Sequence, residues 1–331
     1  MLRRKLLVFG PIIFLIGFLI NVLLHIKLLQ PTDHQKKEIH VSIRQAYETY
    51  LKLTCSHMLN HSDILNNNNI PIHIKIPSTV SRLSGLYKNY SYTNWKTHAA
   101  VNRVLTPCQH MIGMNVVRAF SAFCERYNIT YWMIGGSLVG SVRHWDIIPW
   151  DKDLDFFVPE RDKELLERQF PREQHKVPMY MRPGSLKHGP TKIFPESESK
   201  VSWPDKFYPF IDIFYYYENE THLWNHSLCC HHHIRKSAVF PLSIRPLDSL
   251  WLPAPRSPFG YFEELDPPLF PRVESECYVR GYAPYTTNMM FEQPMVVICK
   301  TLSRVYPFVE RKKKNIESLI LGEKVLQTMA T

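Results

Sequence analysis

The stretch from Tyr131 to Pro159, YWMIGGSLVGSVRHWDIIPWDKDLDFFVP, constrains the fold more than any other part of the chain. It begins with a short run of strand-forming residues, Tyr131 to Ile134, and breaks at Gly135-Gly136. Two glycines allow a tight turn and a close approach of backbone N–H groups to a ligand. A helical turn from Leu138 to Val142 would then aim its positive end at a bound anion.

The same stretch continues with three carboxylates at alternate positions, Asp151, Asp153 and Asp155. Because side chains alternate along a strand, the carboxylates are predicted to share one face while Leu154 and Phe156 face the core. Like charges on one face repel each other, and a divalent cation with oxygen ligands would remove that repulsion. A lone D-x-D is typical of an exposed acidic strand. A glycine turn beside a D-x-D strand is instead the arrangement that nucleotidyl transfer onto or from a metal-bound triphosphate or diphosphate requires.

These residues resemble the signature of the LicD and fukutin family, which has the nucleotidyltransferase fold. The resemblance is carried by Gly135, Gly136, Ser137, Gly140, Arg143, His144, Pro149, Trp150, Asp151, Asp153 and Asp155. The sequence departs from the family pattern at Lys152, where many members carry Asp, and at Trp145, where Gly is common. Strand alternation predicts that Lys152 points away from the carboxylate face. Its replacement by alanine is therefore expected to be mild.

A further carboxylate, Asp212, lies inside the apolar run from Tyr208 to Tyr217. An unpaired charge in such a strand would be costly, so Asp212 needs a partner. The resemblance implies that Asp212 completes a metal-binding and catalytic set with Asp153 and Asp155, and that the metal is Mg²⁺ or Mn²⁺. A capped turn or a pair with an arginine is the alternative. The resemblance and the glycine turn together assign substrate binding to Gly135, Gly136, Ser137, Arg143, His144 and Asp151.

The expected fold is α/β, with a nucleotidyltransferase-like mixed sheet flanked by helices and preceded by one transmembrane helix. Thr106-Pro107 predicts a helix start, and apolar residues at helical spacing continue to Tyr127. A second helix is predicted from Pro159 to Phe170. The family resemblance covers roughly Thr106 to Phe262 and fades beyond Pro267.

The N-terminus predicts a signal anchor. Arg3-Arg4-Lys5 precede an apolar run from Leu6 to Leu24, about nineteen residues, which is long enough to cross a bilayer. No small-x-small cleavage site follows, although a cleaved signal peptide remains the alternative. The expected organisation is a cytoplasmic tail at 1–5, a transmembrane segment at 6–26, a luminal stem at 27–100 and a catalytic domain at 101–331.

Sequons and cysteines fit this secretory location. The candidate N-glycosylation sites are Asn60, Asn89, Asn219 and Asn225. Seven cysteines predict some disulfides and at least one unpaired thiol. We expect a single-pass type II protein of the Golgi or endoplasmic reticulum membrane, with a luminal catalytic domain.

The charge balance favours an anionic substrate. Lys and Arg exceed Asp and Glu by 40 − 30 = +10, while a luminal location excludes nucleic acid as a partner. The tetrad Arg311-Lys312-Lys313-Lys314 is typical of a solvated surface.

Zinc is disfavoured at Cys229-Cys230-His231-His232-His233, because adjacent ligands fit poorly around one tetrahedron. A disulfide-linked or exposed loop is the interpretation preferred for that segment.

The family resemblance implies transfer of phosphocholine or ribitol phosphate from a CDP-activated donor to a glycan acceptor. An acceptor hydroxyl would attack the donor phosphorus, and CMP would leave. Two other classes remain open, a D-x-D nucleotide-sugar glycosyltransferase and a non-catalytic fukutin-like partner protein. The glycine turn and Asp212 count against the first class, and the complete set of carboxylates counts against the second. The oligomeric state stays open.

Overall fold

The computed structural model describes residues 101, 103–105, 107–173, 179–184, 189–195, 209–225, 233–265, 272–279, 295–313 and 315–330. All of them belong to one compact unit. The predicted transmembrane segment and stem, and the cysteine–histidine segment apart from His233, lie outside these residues. Across the described part of the chain, no helix combines the length and apolar character needed to cross a membrane.

A seven-stranded mixed sheet forms the centre of the molecule. Its strands are β1 (Trp132–Met133), β2 (Asp153–Pro159), β3 (Met179–Arg182), β4 (Thr191–Pro195), β5 (Phe210–Glu218), β6 (His222–Asn225) and β7 (His233–Arg235). The order is β1-β2-β5-β4-β3, with β6 paired to β5 and β7 paired to β6. Strands β2 and β5 are parallel, and the other described pairs are antiparallel. The predicted mixed α/β sheet is confirmed.

Helices and smaller sheets surround this central sheet. The helices are α1 (Pro107–Arg126), α2 (Gly135–His144), α3 (Lys163–Gln169), α4 (Lys236–Val239), α5 (Pro258–Glu263), α6 (Arg272–Ser275) and α7 (Cys299–Leu302). The further strands are β8 (Ser243–Leu247), β9 (Leu250–Ala254), β10 (Glu276–Val279), β11 (Met295–Ile298), β12 (Phe308–Lys313), β13 (Ile316–Leu321) and β14 (Lys324–Ala330). Strands β8 and β9 pair with each other, as do β10 and β11, and β12, β13 and β14 form a three-stranded sheet.

Helix α1 matches the helix predicted from its apolar spacing. Its residues Val116, Phe120 and Phe123 are almost fully buried against the sheet. The ring of Phe120 packs 5.2 Å from the ring of Phe156 on β2. The predicted helix after β2 is also present as α3, and short 3-10 turns precede and follow it.

The two glycines form the first turn of α2 and not a separate turn before it. Helix α2 begins at Gly135, whose φ of +50° lies in the left-handed region that favours glycine. A Cβ atom on Gly135 would lie 2.8 Å from Oδ2 of Asp155. Glycine is therefore needed there both for the backbone angle and for the close approach of β2.

The predicted disulfide chemistry is confirmed at one pair. Cys277 of β10 is bonded to Cys299 at the start of α7. Cys124 of α1 is a buried free thiol, and burial is the main reason that its pKa is raised well above the usual value. That thiol is therefore protonated at neutral pH.

The C-terminal sheet explains why tryptophan stands at position 145. Trp145 is fully buried and has a φ of 54°, again in the left-handed region that favours glycine. Its ring packs with Leu319 and Met329, and its Nε1 donates a 3.0 Å hydrogen bond to Glu317. Packing against the C-terminal sheet therefore offsets the backbone strain.

Glu317 is buried between two arginines. Its carboxylate accepts hydrogen bonds from Arg245 at 2.7 Å and from Arg311 at 3.0 Å. Burial alone would raise the pKa of Glu317, but the two guanidinium groups outweigh that effect and the net pKa is lowered. Arg311 also donates to the carbonyl of Val142 at 2.6 Å, so this member of the tetrad is not the solvated side chain that the sequence predicts.

We predict that Glu317→Gln lowers the free energy of unfolding by about 3–5 kcal/mol, because it leaves the buried guanidinium of Arg245 without its counterion. The folded-state pKa of Glu317 is depressed, so its contribution is present at neutral pH and is lost as the pH falls through that pKa. The gap in Tm between wild type and variant should accordingly narrow in acid. Glu310→Gln, in an exposed pair with Lys312, is the control and should cost less than about 1 kcal/mol. Equal Tm values for all three proteins at pH 7 would contradict the prediction.

Candidate functional site

The N-terminus of α2 is bonded directly to the D-x-D strand. The backbone N–H of Gly136 donates to Oδ2 of Asp155 at 3.0 Å. In return, the hydroxyl of Ser137 accepts a 2.7 Å hydrogen bond from the backbone N–H of Asp155. Two of the residues assigned to substrate binding therefore contact the strand itself, and their contact with a donor stays a prediction.

The predicted face of carboxylates is present on β2. Asp153 and Asp155 are half-buried on one side of the strand, whereas Leu154 and Phe156 are fully buried on the other. Asp155 stands opposite Asp212 in the parallel register of β2 and β5, so these two side chains share a face. The pairing of two strands distant in sequence thus brings Asp212 beside the D-x-D pair.

Asp151 lies just before β2 and reaches the same place. A Cβ atom on Gly136 would lie 2.6 Å from Oδ2 of Asp151. The pKa of Asp155 is raised well above its usual value, first by burial and then by Asp153, Asp212 and Asp151. The register of β2 and β5 and the close approach of Asp151 to Gly136 thus gather four carboxylates around the start of α2.

A lysine on the neighbouring strand pairs with Asp212. The ammonium of Lys192 on β4 lies 2.5 Å from Oδ1 of Asp212, and both residues are buried. The same ammonium lies 4.0 Å from the ring centroid of Phe210. The cost of a carboxylate inside an apolar strand is therefore offset by a cation from the neighbouring strand.

The prediction that Lys152 points away from the carboxylates is wrong. Strand β2 begins at Asp153, so strand alternation does not extend to Lys152. Its ammonium lies 5.5 Å from the ring centroid of Phe210. Phe210 stands opposite Asp153 in the register and therefore belongs to the carboxylate face. Two lysines, Lys152 and Lys192, thus lie beside the carboxylates.

Arg143 and His144 lie in the interior at the other end of α2. Arg143 donates to the carbonyl of Val273 at 3.3 Å and to Nε2 of His144 at 3.1 Å. Burial lowers the pKa of Arg143 to about 10, although Asp151 opposes this, so the guanidinium is charged at neutral pH. These bonds are to protein groups. The predicted contact of Arg143 and His144 with a donor is untested.

The hydrogen bonds of His144 define its tautomer. Its Nδ1 lies 2.7 Å from the carbonyl of Pro307, which can only accept, so Nδ1 carries the proton. Its Nε2 accepts from Arg143 and is unprotonated. Burial first, and then the charge of Arg143, hold the pKa of His144 well below its usual value. His144 is therefore neutral and links α2 to the chain after Tyr306.

The structure also groups three residues that the sequence analysis missed. Ligand atoms of His110, Asp146 and Asp248 all lie within 4.8 Å of one another, a grouping with metal-ligand residue types. Nε2 of His110 lies 2.6 Å from Oδ1 of Asp146. Burial alone would lower the pKa of His110, but the attraction of the two carboxylates outweighs it and the net pKa is raised. The two carboxylates therefore favour the cationic form of His110 within this cluster.

Only tertiary contact could reveal this second cluster. Asp146 lies inside the matched stretch but lacks the alternate spacing of the D-x-D residues. His110 comes from α1, and Asp248 comes from the turn between β8 and β9. The cluster lies at the end of α2 remote from Asp155, about 15 Å along a ten-residue helix.

Residues 128–257 match the family model described as LicD/FKTN/FKRP, nucleotidyltransferase domain. Over these residues the chain is similar to a LicD/FKTN/FKRP-type nucleotidyltransferase domain. The match includes all four gathered carboxylates and runs from the start of β1 to the end of β9. The resemblance predicted from the glycine and aspartate motifs is confirmed for these residues.

Similar curated proteins are phosphotransferases by name. The lipopolysaccharide cholinephosphotransferase LicD of Haemophilus influenzae is 44% identical over 50 residues, which are 15% of this chain and 19% of that protein. The ribitol 5-phosphate transferase FKRP of Homo sapiens is 43% identical over 52 residues, which are 16% of this chain and 10% of that protein. The chain thus spans about a fifth and a tenth of the length of these relatives.

We predict that Asp155→Asn raises the Tm of the chelator-treated protein at pH 8. The folded-state pKa of Asp155 is raised, so the ionised group costs stability above that pKa, and the cost vanishes below the unfolded-state pKa. The gain in Tm should therefore shrink as the pH is lowered toward about 4. Glu164→Gln, at a side chain that is 87% exposed, is the control and should leave the Tm unchanged. A lower Tm for Asp155→Asn at pH 8 would contradict the prediction.

Proposed function

We propose that this domain transfers a phospho-alcohol group, such as ribitol phosphate or a phosphocholine-like group, from a CDP-activated donor to a glycan acceptor. The observation that carries the proposal is the gathering of Asp151, Asp153, Asp155 and Asp212 at the start of α2. Its setting supports it, because these residues lie in a domain of the LicD/FKTN/FKRP type. The named relatives are transferases of phosphocholine and ribitol phosphate.

The carboxylates fit a divalent cation. Their ligand atoms are all oxygens, which suits Mg²⁺ or Mn²⁺ better than zinc. The pKa of Asp155 is raised first by burial and then by repulsion from the neighbouring carboxylates, and a bound cation would relieve that repulsion. We assign the metal to Asp153, Asp155 and Asp212. When bound there, it would neutralise charge on the phosphoryl oxygens of the donor.

Asp212 is the candidate base for the acceptor hydroxyl as well as a metal ligand. Its ion pair with Lys192 favours the charged carboxylate, the form that can accept a proton. The position of Asp212 opposite Asp155 places it beside the residues assigned to the metal. Asp212 is thus placed to act as a base or as a metal ligand when the acceptor hydroxyl attacks the donor phosphorus.

Lys152 and Lys192 supply positive charge for the donor diphosphate. Both ammonium groups lie over the ring of Phe210, on the face that carries the aspartates. Arg143 is less suited to this task, because its guanidinium donates to backbone carbonyls in the interior. Charge at the lysines suits a polyanionic donor, in keeping with the net charge of +10.

We also propose that the domain is luminal and is anchored by the segment at 6–26, in the Golgi or endoplasmic reticulum membrane. The disulfide between Cys277 and Cys299 supports an oxidising compartment. The apolar run that follows Arg3-Arg4-Lys5 supports the orientation, because cations stay on the cytoplasmic side.

The decisive experiment identifies the nucleotide that leaves. The full-length protein, incubated with Mn²⁺, a panel of CDP-alcohols and glycan acceptors, should release CMP and add the phosphate together with the alcohol to the acceptor mass. Asp153→Asn should abolish the release while leaving the protein folded, because it removes a proposed metal ligand. Release of UDP or GDP from a nucleotide sugar, with only a sugar added to the acceptor, would overturn the proposal in favour of a glycosyltransferase.

We predict that Lys152→Ala raises the KM for the donor about tenfold with little change in kcat, because one charge-assisted contact with the diphosphate is lost. Lys163→Ala is the matched control. The ammonium of Lys163 lies 5.0 Å from the ring of Tyr215, which faces the opposite side of β5 from Asp212. That variant should leave KM unchanged. Equal KM values for Lys152→Ala and wild type would remove Lys152 from the donor site.

A further inference from the structure

Three aromatic rings form a row across β5, β6 and β7. Tyr217 stands directly opposite Trp224, and Trp224 stands directly opposite His233. The ring centroids are 6.3 Å apart in both pairs, and the ring planes differ by 18° and 20°. We call Tyr217, Trp224 and His233 the aromatic row.

The aromatic row lies on a solvent-facing side of the sheet. Tyr217 is 37% exposed and His233 is also exposed, whereas Leu223 and Ile234 on the other side are almost fully buried. Tyr217 is five residues after Asp212, so it faces the opposite side of β5, about 17 Å farther along the strand. The row is therefore separate from the carboxylate site.

An accessible sequon adjoins the aromatic row. Asn219-Glu220-Thr221 forms the turn between β5 and β6, and all three residues are exposed. The N–H of Asn219 donates to the carbonyl of His222 at 3.0 Å, which continues the pairing of Tyr217 with Trp224. Asn219 directly follows the last residue of β5 and is two residues after Tyr217, so the sequon begins next to the aromatic row.

The side chain of Asn219 is held in place by the turn. Its Oδ1 accepts hydrogen bonds from the N–H groups of Thr221 at 2.9 Å and His222 at 2.8 Å. These bonds use the carbonyl oxygen of the side-chain amide and orient its nitrogen. The other described candidate on these strands, Asn225, is buried at 5% exposure, where a glycan would have no room.

We propose that Asn219 carries an N-linked glycan whose first N-acetylglucosamine packs on the aromatic row at Tyr217 and Trp224. The apolar C–H face of a pyranose ring matches the flat face of an aromatic ring, and their contact removes apolar surface from water. Nδ2 of Asn219 bonds to the anomeric carbon of the sugar and loses a proton, as the bond from that carbon to a lipid-linked diphosphate donor breaks. The inference rests on the luminal location proposed above.

Occupancy is tested first. The full-length chain is expressed in mammalian cells that make high-mannose glycans, and its glycopeptides are analysed by mass spectrometry. Asn219 is expected to be occupied in most molecules. An unmodified Asn219 in molecules that carry a glycan at another sequon would overturn the inference and leave the location intact. A chain without any glycan would instead refute the luminal location, and the inference with it.

Packing is tested by trimming the glycan in two ways. Endoglycosidase H leaves one N-acetylglucosamine and should leave the Tm unchanged, whereas complete removal by peptide N-glycosidase F should lower the Tm by about 2–4 °C. The Asn219→Gln variant is treated with the same two enzymes. Its change in Tm is due to the other glycans and is subtracted. A Tm that falls equally after both enzymes would overturn the contact with the first sugar.

Substitutions in the aromatic row separate the packing of the first sugar from other effects of the glycan on the Tm. Tyr217→Ala and Trp224→Ala should each reduce the difference in Tm between the two trimmed forms, and Tyr217→Phe should preserve it. Tyr180→Ala, at a tyrosine that is 43% exposed on β3, is the matched control and should also preserve it. If Tyr217→Ala leaves the difference intact but raises the KM for the acceptor glycan, the aromatic row binds acceptor instead and the proposal fails.

Discussion

The attachment of Asp155 to the N-terminus of α2 is the interaction on which the site depends. A buried carboxylate with three like-charged neighbours is unfavourable, and the N–H of Gly136 together with the positive end of the helix offsets part of that cost. The approach is close enough that a Cβ atom on Gly135 or Gly136 would collide with a carboxylate oxygen. The two glycines are therefore a steric requirement of the aspartates that follow them.

Helix α2 also connects the carboxylate site to the C-terminal third of the chain. Its last residues, Arg143 and His144, bond to carbonyls of Val273 and Pro307, and Trp145 follows with its bond to Glu317. Residues that match the family signature can thus have a structural role, because they form hydrogen bonds in the protein interior. The matched domain ends at residue 257, yet the segment beyond it covers the C-terminal end of α2.

Features that depend on local spacing were predictable. The apolar period of α1, the alternation of Asp153 and Asp155 and the apolar strand around Asp212 are all present, because each follows from the geometry of one helix or strand. The error at Lys152 arose at a boundary. Strand β2 begins at Asp153, so the alternation of its side chains does not include Lys152.

The sequence by itself determined the glycine and aspartate motif, and with it the resemblance to the LicD/FKTN/FKRP family over residues 128–257 and the residues around which a site could form. The tertiary structure decided the partners of those residues. Lys192 meets Asp212 only through the antiparallel register of β4 and β5, and His110 of α1 meets Asp146 only because the folded chain brings α1 beside the residues that follow α2. Such contacts join segments tens of residues apart, and no periodicity within one element encodes the register that brings them together.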